Sequence, residues 1–374
     1  MTRAVICGFA RSPFTFAKKG ELASVRPDEI LAQLVKQLVQ KTGIKGEEVE
    51  DLITGCAFPE GEQGFNIGRM AVFLAGLPIG VAGSTINRFC GSSMEAIHIA
   101  TGKIALGAGE LFICAGVESM TRIPMGGFNP LPNPRLYSTF PQAYDSMGKT
   151  AETVAKQYGI SRQSQEQFAL TSHKKALTAD LTGEIVPISG KAGMVSKDGC
   201  IRTDASLEKM ATLAPAFDVN GSVTAATSSP LSDGASAVIV CSESYADTHN
   251  LPKLAAIKST AVVGVPPEIM GIGPVAATEK ALARAKISVS DLDIIELNEA
   301  FAVQSIACIR DLKLDENKIN LEGGAIAIGH PLGASGARIT GKAASLLHKH
   351  KAKHALAAMC IGGGQGIATV LERI

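Results

Sequence analysis

Two cysteines and one histidine stand in sequence contexts that could support nucleophilic chemistry. The first, Cys90, follows a short β-branched run and precedes a glycine, two serines and a helical pattern. A thiol at a helix N-terminus meets free backbone N–H groups and the positive end of the helix dipole, so we expect a lowered pKa and a favoured thiolate. On these residues alone, Cys90 is equally well explained as an inert cysteine buried in a tight turn.

His330 lies in a glycine-rich segment, residues 323–336, in which five glycines surround this histidine and the proline after it. Such a backbone packs closely on a neighbour and presents the imidazole from a fixed turn. A histidine beside a thiol can take its proton, which an acyl-transfer nucleophile requires. The alternative is a structural turn or a phosphate loop, although the segment has neither a Walker lysine–serine pair nor the dinucleotide-binding glycine pattern.

The second cysteine, Cys360, ends an apolar run and is followed by glycine at four of the positions 362–366. Backbone amides freed by such a turn, beginning with Gly362, can form an oxyanion hole, and a thiol beside them can exchange a proton. A further polar signal is Asn298, which with Glu299 interrupts an apolar strand-to-helix junction. Asn298 alone is also explained as the N-cap of the following helix.

The composition is typical of a neutral α/β protein. The chain has 374 residues, of which 46% are hydrophobic and 19% charged, and its 36 basic side chains nearly balance 35 acidic ones. This balance creates no field that would attract nucleic acid or an anionic membrane surface. Because so few residues are charged, we expect buried subunit surface and hence a homo-oligomer.

The eight cysteines are scattered along the chain without paired spacing, which predicts neither a disulfide framework nor a metal site. Met1-Thr2-Arg3 leads directly into a strand-like run, and no apolar run reaches the length of a membrane span. We therefore expect a cytoplasmic protein with free thiols, no membrane insertion and no nucleic-acid partner.

Alternating strand and helix patterns predict a largely parallel sheet covered by helices. Residues 1–120 form one series, completed by a strand near 235–241, and residues 245–374 form a second. Residues 121–230, rich in proline at first, favour an inserted region of loops and helices without further sheet.

The two series have a similar internal order. An aspartate opens a strand–helix unit in each, and a reactive residue follows at a similar distance, Asp51 before Cys90 and Asp293 before His330. This similarity predicts a duplicated α/β unit in which each copy supplies one reactive group.

Four segments, in this order, resemble the signatures of the thiolase family. They are NRFCGSS from Asn87, LNEAF around Asn298, GGAIAIGHPLGASGAR from Gly323 and CIGGGQG from Cys360. The resemblance covers nearly the whole chain, and EQGFNIGR and SMGKTAE favour the degradative 3-ketoacyl-CoA thiolases over the biosynthetic type. It implies the thiolase fold, in which duplicated βαβ halves form a five-layer αβαβα core with an inserted loop domain.

The resemblance also implies a role for each reactive residue. Cys90 is the nucleophile that becomes acylated, and His330 accepts its proton. Cys360 is the acid/base that protonates the departing acetyl-CoA enolate. Asn298 orients a water in one oxyanion hole, and the backbone N–H groups of Cys90 and Gly362 form the other. CoA is then a substrate, and neither a tightly bound cofactor nor a metal is implied.

In the family, the inserted region covers the pantetheine and the nucleotide of CoA. The positions that match this path are Met147, Arg202, Phe217, Ala225, Ser229 and Phe301. Of these, Arg202 is placed to meet the nucleotide end as a planar cationic donor.

The predicted function is thiolytic cleavage of a 3-ketoacyl-CoA in fatty-acid β-oxidation, by a ping-pong mechanism through acyl-Cys90. A biosynthetic acetoacetyl-CoA thiolase would share every catalytic residue. A ketoacyl-carrier-protein synthase is disfavoured by the second thiol, and a non-catalytic acyl-CoA-binding subunit by the presence of Cys90, His330 and Cys360 together. The expected partners are CoA and acyl-CoA, further copies in a homodimer or homotetramer, and a hydratase/dehydrogenase subunit.

Overall fold

The computed structural model describes residues 2–374. Its strands are β1 Ala4–Arg11, β2 Thr15–Phe16, β3 Asp51–Gly55, β4 Ala82–Ile86, β5 Leu111–Ser119, β6 Ile188–Gly190, β7 Gly193–Val195, β8 Ser232–Ser242, β9 Ala255–Gly264, β10 Ile294–Leu297, β11 His354–Ile361 and β12 Gln365–Glu372. Its α-helices are α1 Pro27–Thr42, α2 Ile67–Leu74, α3 Ser92–Ala105, α4 Pro134–Thr139, α5 Met147–Tyr158, α6 Arg162–Thr178, α7 Leu207–Ala211, α8 Glu243–Thr248, α9 Gly273–Ala285, α10 Ala302–Leu312, α11 Ala325–Ile328 and α12 Leu332–Lys349. Within residues 2–374, no helix combines the length and the apolar composition needed to cross a membrane.

The large sheet consists of two halves with the same design. The first half has the order β4-β3-β5-β8-β1, and the second has the order β10-β11-β12-β9. In the first, β3 and β5 are parallel while β8 runs antiparallel to both β5 and β1. In the second, β10 and β11 are parallel while β12 runs antiparallel to both β11 and β9. The duplication predicted from the sequence is therefore confirmed by strand order and direction.

The two halves differ at one edge and are joined at the other. The position that β4 occupies in the first half is held in the second by a single parallel bridge between Ile295 and Ile319. The halves meet where Val5 and Ile6 of β1 pair with β9. This short pairing makes one continuous sheet while leaving room for helices between the halves.

Helices form three layers around the two half-sheets. α1 and α2 pack on the outer face of the first half, and α9 and α10 pack on the outer face of the second. α3 and α12 lie between the halves and share one apolar core with both. The predicted five-layer αβαβα arrangement is confirmed.

Small residues allow α12 to occupy the middle layer, where almost all of its surface is buried. At Gly336 a Cβ atom would lie 2.4 Å from the backbone nitrogen of Met94 in α3, so this approach requires glycine. The Ala337 N–H also donates to Ser93 Oγ at 2.8 Å. This packing brings the first turns of α3 and α12 together, and with them the segments that hold Cys90 and His330.

The region between β5 and β8 contains helices α4 to α7 and a small antiparallel hairpin, β6 with β7. The prediction that this region holds no further sheet is therefore wrong. Each hairpin strand has only three residues, too few to show an alternating pattern in the sequence. Buried Ile188 and Val195 attach the hairpin to the outer core around α1.

Candidate active site

Cys90 lies in the turn between β4 and α3. The turn is tight: Phe89 has a left-handed φ of +42°, and Ser92 Oγ donates to the Phe89 carbonyl at 2.6 Å. A Cβ atom at Gly91 would lie 2.6 Å from the side chain of Ile361, the last residue of β11. Glycine at this position therefore lets the Cys90 turn press against the end of β11.

The structure brings Cys360 to Cys90 from the other half of the sheet. Cys360 is buried near the end of β11, whereas Cys90 stays partly accessible. The neighbours of the two thiols contact each other: a Cβ atom at Gly91 would lie 2.6 Å from Ile361, and one at Gly362 would lie 3.7 Å from the Phe89 ring. Burial raises the pKa of Cys360, and negative charge on nearby Cys90 adds to the rise. The backbone N–H groups of Gly362 and Cys90 lower the pKa of Cys90, so both lie beside this sulfur. Their predicted role as an oxyanion hole for the thioester oxygen stays a prediction.

Burial raises the pKa of Cys90 to about 12, and the Glu118 carboxylate adds to the rise. The hydrogen bonds from the N–H groups of Gly362 and Cys90 oppose it only in part. The prediction of a lowered pKa is therefore wrong, because protein encloses this helix N-terminus and the thiolate would lose its water. Cys90 is a neutral thiol at pH 7, so its attack on a substrate requires a base.

His330 is buried between Gly329, which has a φ of +114°, and Pro331. Ser335 Oγ donates to the Pro331 carbonyl at 2.9 Å, so its oxygen accepts from His330 Nδ1–H at 2.5 Å. This pair of bonds leaves Nε2 as the unprotonated nitrogen. Burial, assisted by the charge on Arg338, lowers the pKa of His330 to about 3. The imidazole is therefore neutral at pH 7 and can accept a proton at Nε2.

Asn298 follows β10, and its Nδ2 lies 3.5 Å from His330 Nε2. Its Oδ1 is buried and makes no hydrogen bond within residues 2–374. Asn298 is not the N-cap of α10, since Phe301 holds that position. The capping explanation is therefore wrong, and the amide instead faces the imidazole with an acceptor free for a water or a substrate.

A buried ion pair connects the elements that carry Asn298 and His330. Arg338 of α12 donates to Glu296 Oε2 of β10 at 2.7 Å, and both side chains are almost fully buried. Burial raises the pKa of Glu296 to about 7, although the Arg338 charge opposes the rise. The pair links β10 to α12 within two residues of Asn298 and three residues of Ser335.

The predicted CoA residues form a path away from the thiols. Met147 opens α5, and a Cβ at Gly362 would lie 3.5 Å from its Sδ. Phe301 is buried in the same apolar cluster as Cys360 and Met147, and its ring meets that of half-exposed Phe217 edge-on at 5.9 Å.

The path continues beyond Phe301 towards an exposed cation. The Ser229 N–H donates to the Ala300 carbonyl at 2.9 Å, which holds this loop beside Phe301. Ala225 and Arg202 line a small cleft at the end of the path, where the Arg202 guanidinium lies 5.3 Å from the Phe16 ring centre. Ser228, next to Ser229, lines the same cleft. That the six predicted residues together contact CoA stays a prediction.

A larger cleft, of about 450 Å³, lies elsewhere, between α1 and the C-terminal part of α12. Its buried Lys342 is paired with Glu184 and Glu322, and Lys349 also binds Glu322 at 3.0 Å. Because these charges neutralise one another and no reactive pair is present, we do not assign the chemistry to this cleft.

Sequence reasoning missed two residues that hold the site together. Ser335 fixes the tautomer of His330, as described above. Glu118, at the end of β5, is buried and accepts hydrogen bonds from the N–H groups of Ala57 and Gly333 at 2.8 and 2.9 Å and from Gln63 Nε2 at 2.7 Å. Glu118 could have been identified from the sequence as an acidic residue at the end of an otherwise apolar strand.

Comparison with known proteins agrees with this architecture. Residues 4–244 match the N-terminal domain of thiolase, and residues 251–373 match its C-terminal domain. The chain is 45% identical over 392 residues to a 3-ketoacyl-CoA thiolase of Bacillus subtilis (strain 168), with both chains covered completely. It is 48% identical over 388 residues to that of Shewanella oneidensis, and 46% identical over 387 residues to that of Colwellia psychrerythraea, again over the full lengths.

The chain is therefore an acyltransferase that belongs to the thiolase family. Within that family, these full-length relatives are 3-ketoacyl-CoA thiolases.

Proposed function

We propose that this enzyme cleaves 3-ketoacyl-CoA with CoA to give acetyl-CoA and a shortened acyl-CoA, as a step of fatty-acid β-oxidation. The observation that carries the proposal is the meeting of the Cys90 and Cys360 turns from opposite halves, where Gly91 packs against Ile361 and Gly362 lies beside Phe89. A carbon–carbon cleavage of this kind needs a nucleophile, an oxyanion site and a proton donor close together. Its relatives' names support the same substrate class.

In the first half-reaction, the Cys90 sulfur attacks the 3-keto carbon while its proton passes to His330 Nε2. A C–S bond forms, and collapse of the adduct breaks the bond between C2 and C3. The electron pair leaves with the acetyl-CoA enolate, which takes the proton of the Cys360 thiol at carbon. A neutral imidazole and a neutral second thiol are the protonation states that this sequence of steps requires.

In the second half-reaction, the thiol of CoA attacks the acyl group on Cys90. Its proton restores the Cys360 thiol, and the departing Cys90 thiolate recovers its proton from His330. Negative charge on the thioester oxygen is stabilised by the N–H groups of Cys90 and Gly362. Asn298, with its free buried oxygen, orients a water that serves the second oxyanion position.

CoA occupies the path from the thiols to Arg202. Met147, Phe301 and Phe217 provide apolar contacts for the pantetheine, while Ser229 and Ala225 border it further out. Arg202, the exposed cation at the end of this path, meets the nucleotide. CoA is then a substrate, and the mechanism uses no tightly bound cofactor or metal.

The chain divides by function into a thiolase half at 1–120, completed by β8, a CoA-covering region at 121–230 and a second half at 245–374.

An exposed edge of the large sheet favours assembly into a homodimer, or into a homotetramer made from two dimers. Within residues 2–374, β4 has no neighbouring strand on its outer side, and large apolar side chains near it are exposed, namely Phe65, Phe73, Leu74 and Ile79. An edge of this kind pairs readily with a second copy.

The free cysteines also support a cytoplasmic location, because eight unpaired thiols suit a reducing compartment. A hydratase/dehydrogenase subunit is the proposed protein partner, since that activity supplies 3-ketoacyl-CoA.

Thiolytic rates over a series of 3-ketoacyl-CoA chain lengths test this function. We expect kcat/KM for medium and long chains to exceed that for the four-carbon substrate by about tenfold or more, which corresponds to roughly 1.4 kcal/mol of additional transition-state binding. Activity restricted to the four-carbon substrate would instead establish the biosynthetic alternative. Cleavage of no 3-ketoacyl-CoA by the folded wild-type enzyme would contradict the proposal.

A further inference from the structure

A buried amide that the mechanism above does not use lies against the Cys360 thiol. Gln304 is in the first turn of α10, and its Oε1 is 3.9 Å from Cys360 Sγ. The other neighbours of Cys360 in this cluster are apolar side chains such as Val303 and Met270. Among residues 2–374, Gln304 is the hydrogen-bond partner of this sulfur.

Two backbone groups fix which end of the amide faces Cys360. The N–H groups of Ala300 and Phe301 donate to Gln304 Oε1 at 3.1 and 3.4 Å. Because both partners are donors, the atom they meet must be the amide oxygen. These bonds also make Gln304 part of the N-terminal cap of α10.

Capping by the Gln304 oxygen does not explain why the NH₂ group of the same amide is buried. Gln304 Nε2 is buried and makes no hydrogen bond within residues 2–374. A buried donor without a partner is destabilising, so each such group calls for an explanation. The amide lowers the pKa of Cys308, one turn further along α10, as a nearby donor does, so Gln304 stands between two buried thiols with its oxygen towards Cys360.

We propose that Gln304 is a positioning residue for Cys360: its oxygen, held by the N–H groups of Ala300 and Phe301, accepts the thiol hydrogen bond and orients the S–H. This proposal rests on the proposed function. In cleavage, the Cys360 S–H bond breaks as the new C–H bond of acetyl-CoA forms, and the CoA thiol later returns the proton.

Two substitutions separate this role from capping. Gln304→Met keeps the length of the side chain but removes both polar ends. We expect it to lower the rate of carbon–carbon cleavage about ten- to a hundredfold, as a misplaced catalytic group does. Transfer of an acetyl group from acetyl-CoA to Cys90 expels a CoA thiolate, which, unlike an enolate, leaves readily without the proton of Cys360, so its rate should change by less than about threefold.

Gln304→Glu keeps an oxygen that can cap α10 but adds a negative charge beside the thiol. This charge raises the pKa of Cys360. A weaker acid protonates the enolate more slowly, so cleavage by Gln304→Glu should fall while acetyl transfer stays near the wild-type rate. A purely capping role would leave both rates unchanged, because the glutamate oxygen can still cap α10.

The matched control is Gln33→Met. Gln33 Oε1 also accepts a backbone N–H, that of Ser189 at 2.8 Å, but it lies on α1 in an outer layer. This variant should keep both rates at the wild-type level, and thermal unfolding of all three variants should verify their folding.

Equal losses of acetyl transfer and cleavage in Gln304→Met, or unchanged cleavage in Gln304→Glu, would overturn the positioning role while leaving the proposed function intact. A wild-type enzyme that never acylates Cys90 would overturn both.

Discussion

Replacing Cys90 by alanine should abolish both thiolytic cleavage and the reverse condensation. The sulfur carries the acyl group between the two half-reactions, while Cys360, the other thiol in the site, is assigned the proton transfer. The loss expected for removal of a covalent nucleophile is about 10⁴- to 10⁶-fold in kcat. The measurement is the steady-state rate of acetyl-CoA release from a 3-ketoacyl-CoA in the presence of CoA.

Two controls show that such a loss comes from the chemistry. Cys90→Ala should still bind CoA in a calorimetric titration, because the path from Met147 to Arg202 is unchanged. Cys7→Ala removes a thiol from β1, in the outer core, and should retain the wild-type rate. If Cys90→Ala kept more than about 1% of wild-type turnover, the assignment of the nucleophile would be wrong.

Replacing Cys360 by serine should separate the two kinds of chemistry in the site. A hydroxyl is a far weaker acid than a thiol, so it protonates the departing enolate poorly. We expect cleavage to fall about 10²- to 10⁴-fold, the range supplied by a general acid. Acylation of Cys90 by acetyl-CoA should persist, because Cys90, His330 and the Gly362 N–H remain in place.

A rapid-quench experiment with acetyl-CoA, compared with the steady-state cleavage rate, measures this separation. Cys114→Ser is the matched control, since Cys114 is equally buried but lies on β5 and donates to the Ala96 carbonyl at 3.4 Å. Normal cleavage by Cys360→Ser would exclude the acid/base role, and loss of acylation would show that Cys360 also supports the first step.

The sequence predicted the parts of the site that depend on local patterns. Glycines around Cys90, His330 and Cys360 indicate turns that present a side chain, and the duplicated order of elements predicts that distant turns meet. The meeting of Cys90 with Cys360 follows from that duplication, since strand ends of the two halves face the same middle layer. These features require only residue types and spacing.

Properties that depend on enclosure could not be predicted in the same way. The pKa of Cys90 rises because the surrounding protein excludes water, and a helix N-terminus read in isolation predicts the opposite direction. The tautomer of His330 depends on Ser335, and the surroundings of Cys360 depend on Gln304, each a contact made only after folding. The hairpin β6–β7 likewise forms through packing on α1 rather than through its own pattern.

The mass of the tryptic peptide that contains Cys90 tests the central claim most directly. The enzyme is incubated with acetyl-CoA, or with a 3-ketoacyl-CoA without free CoA, and quenched in acid before digestion. We expect the peptide to gain the mass of one acyl group, to lose it when CoA is added, and to show no gain in Cys90→Ala. An unmodified Cys90 peptide from enzyme that is turning over, or an acyl group on another of the eight cysteines, would contradict a mechanism through acyl-Cys90.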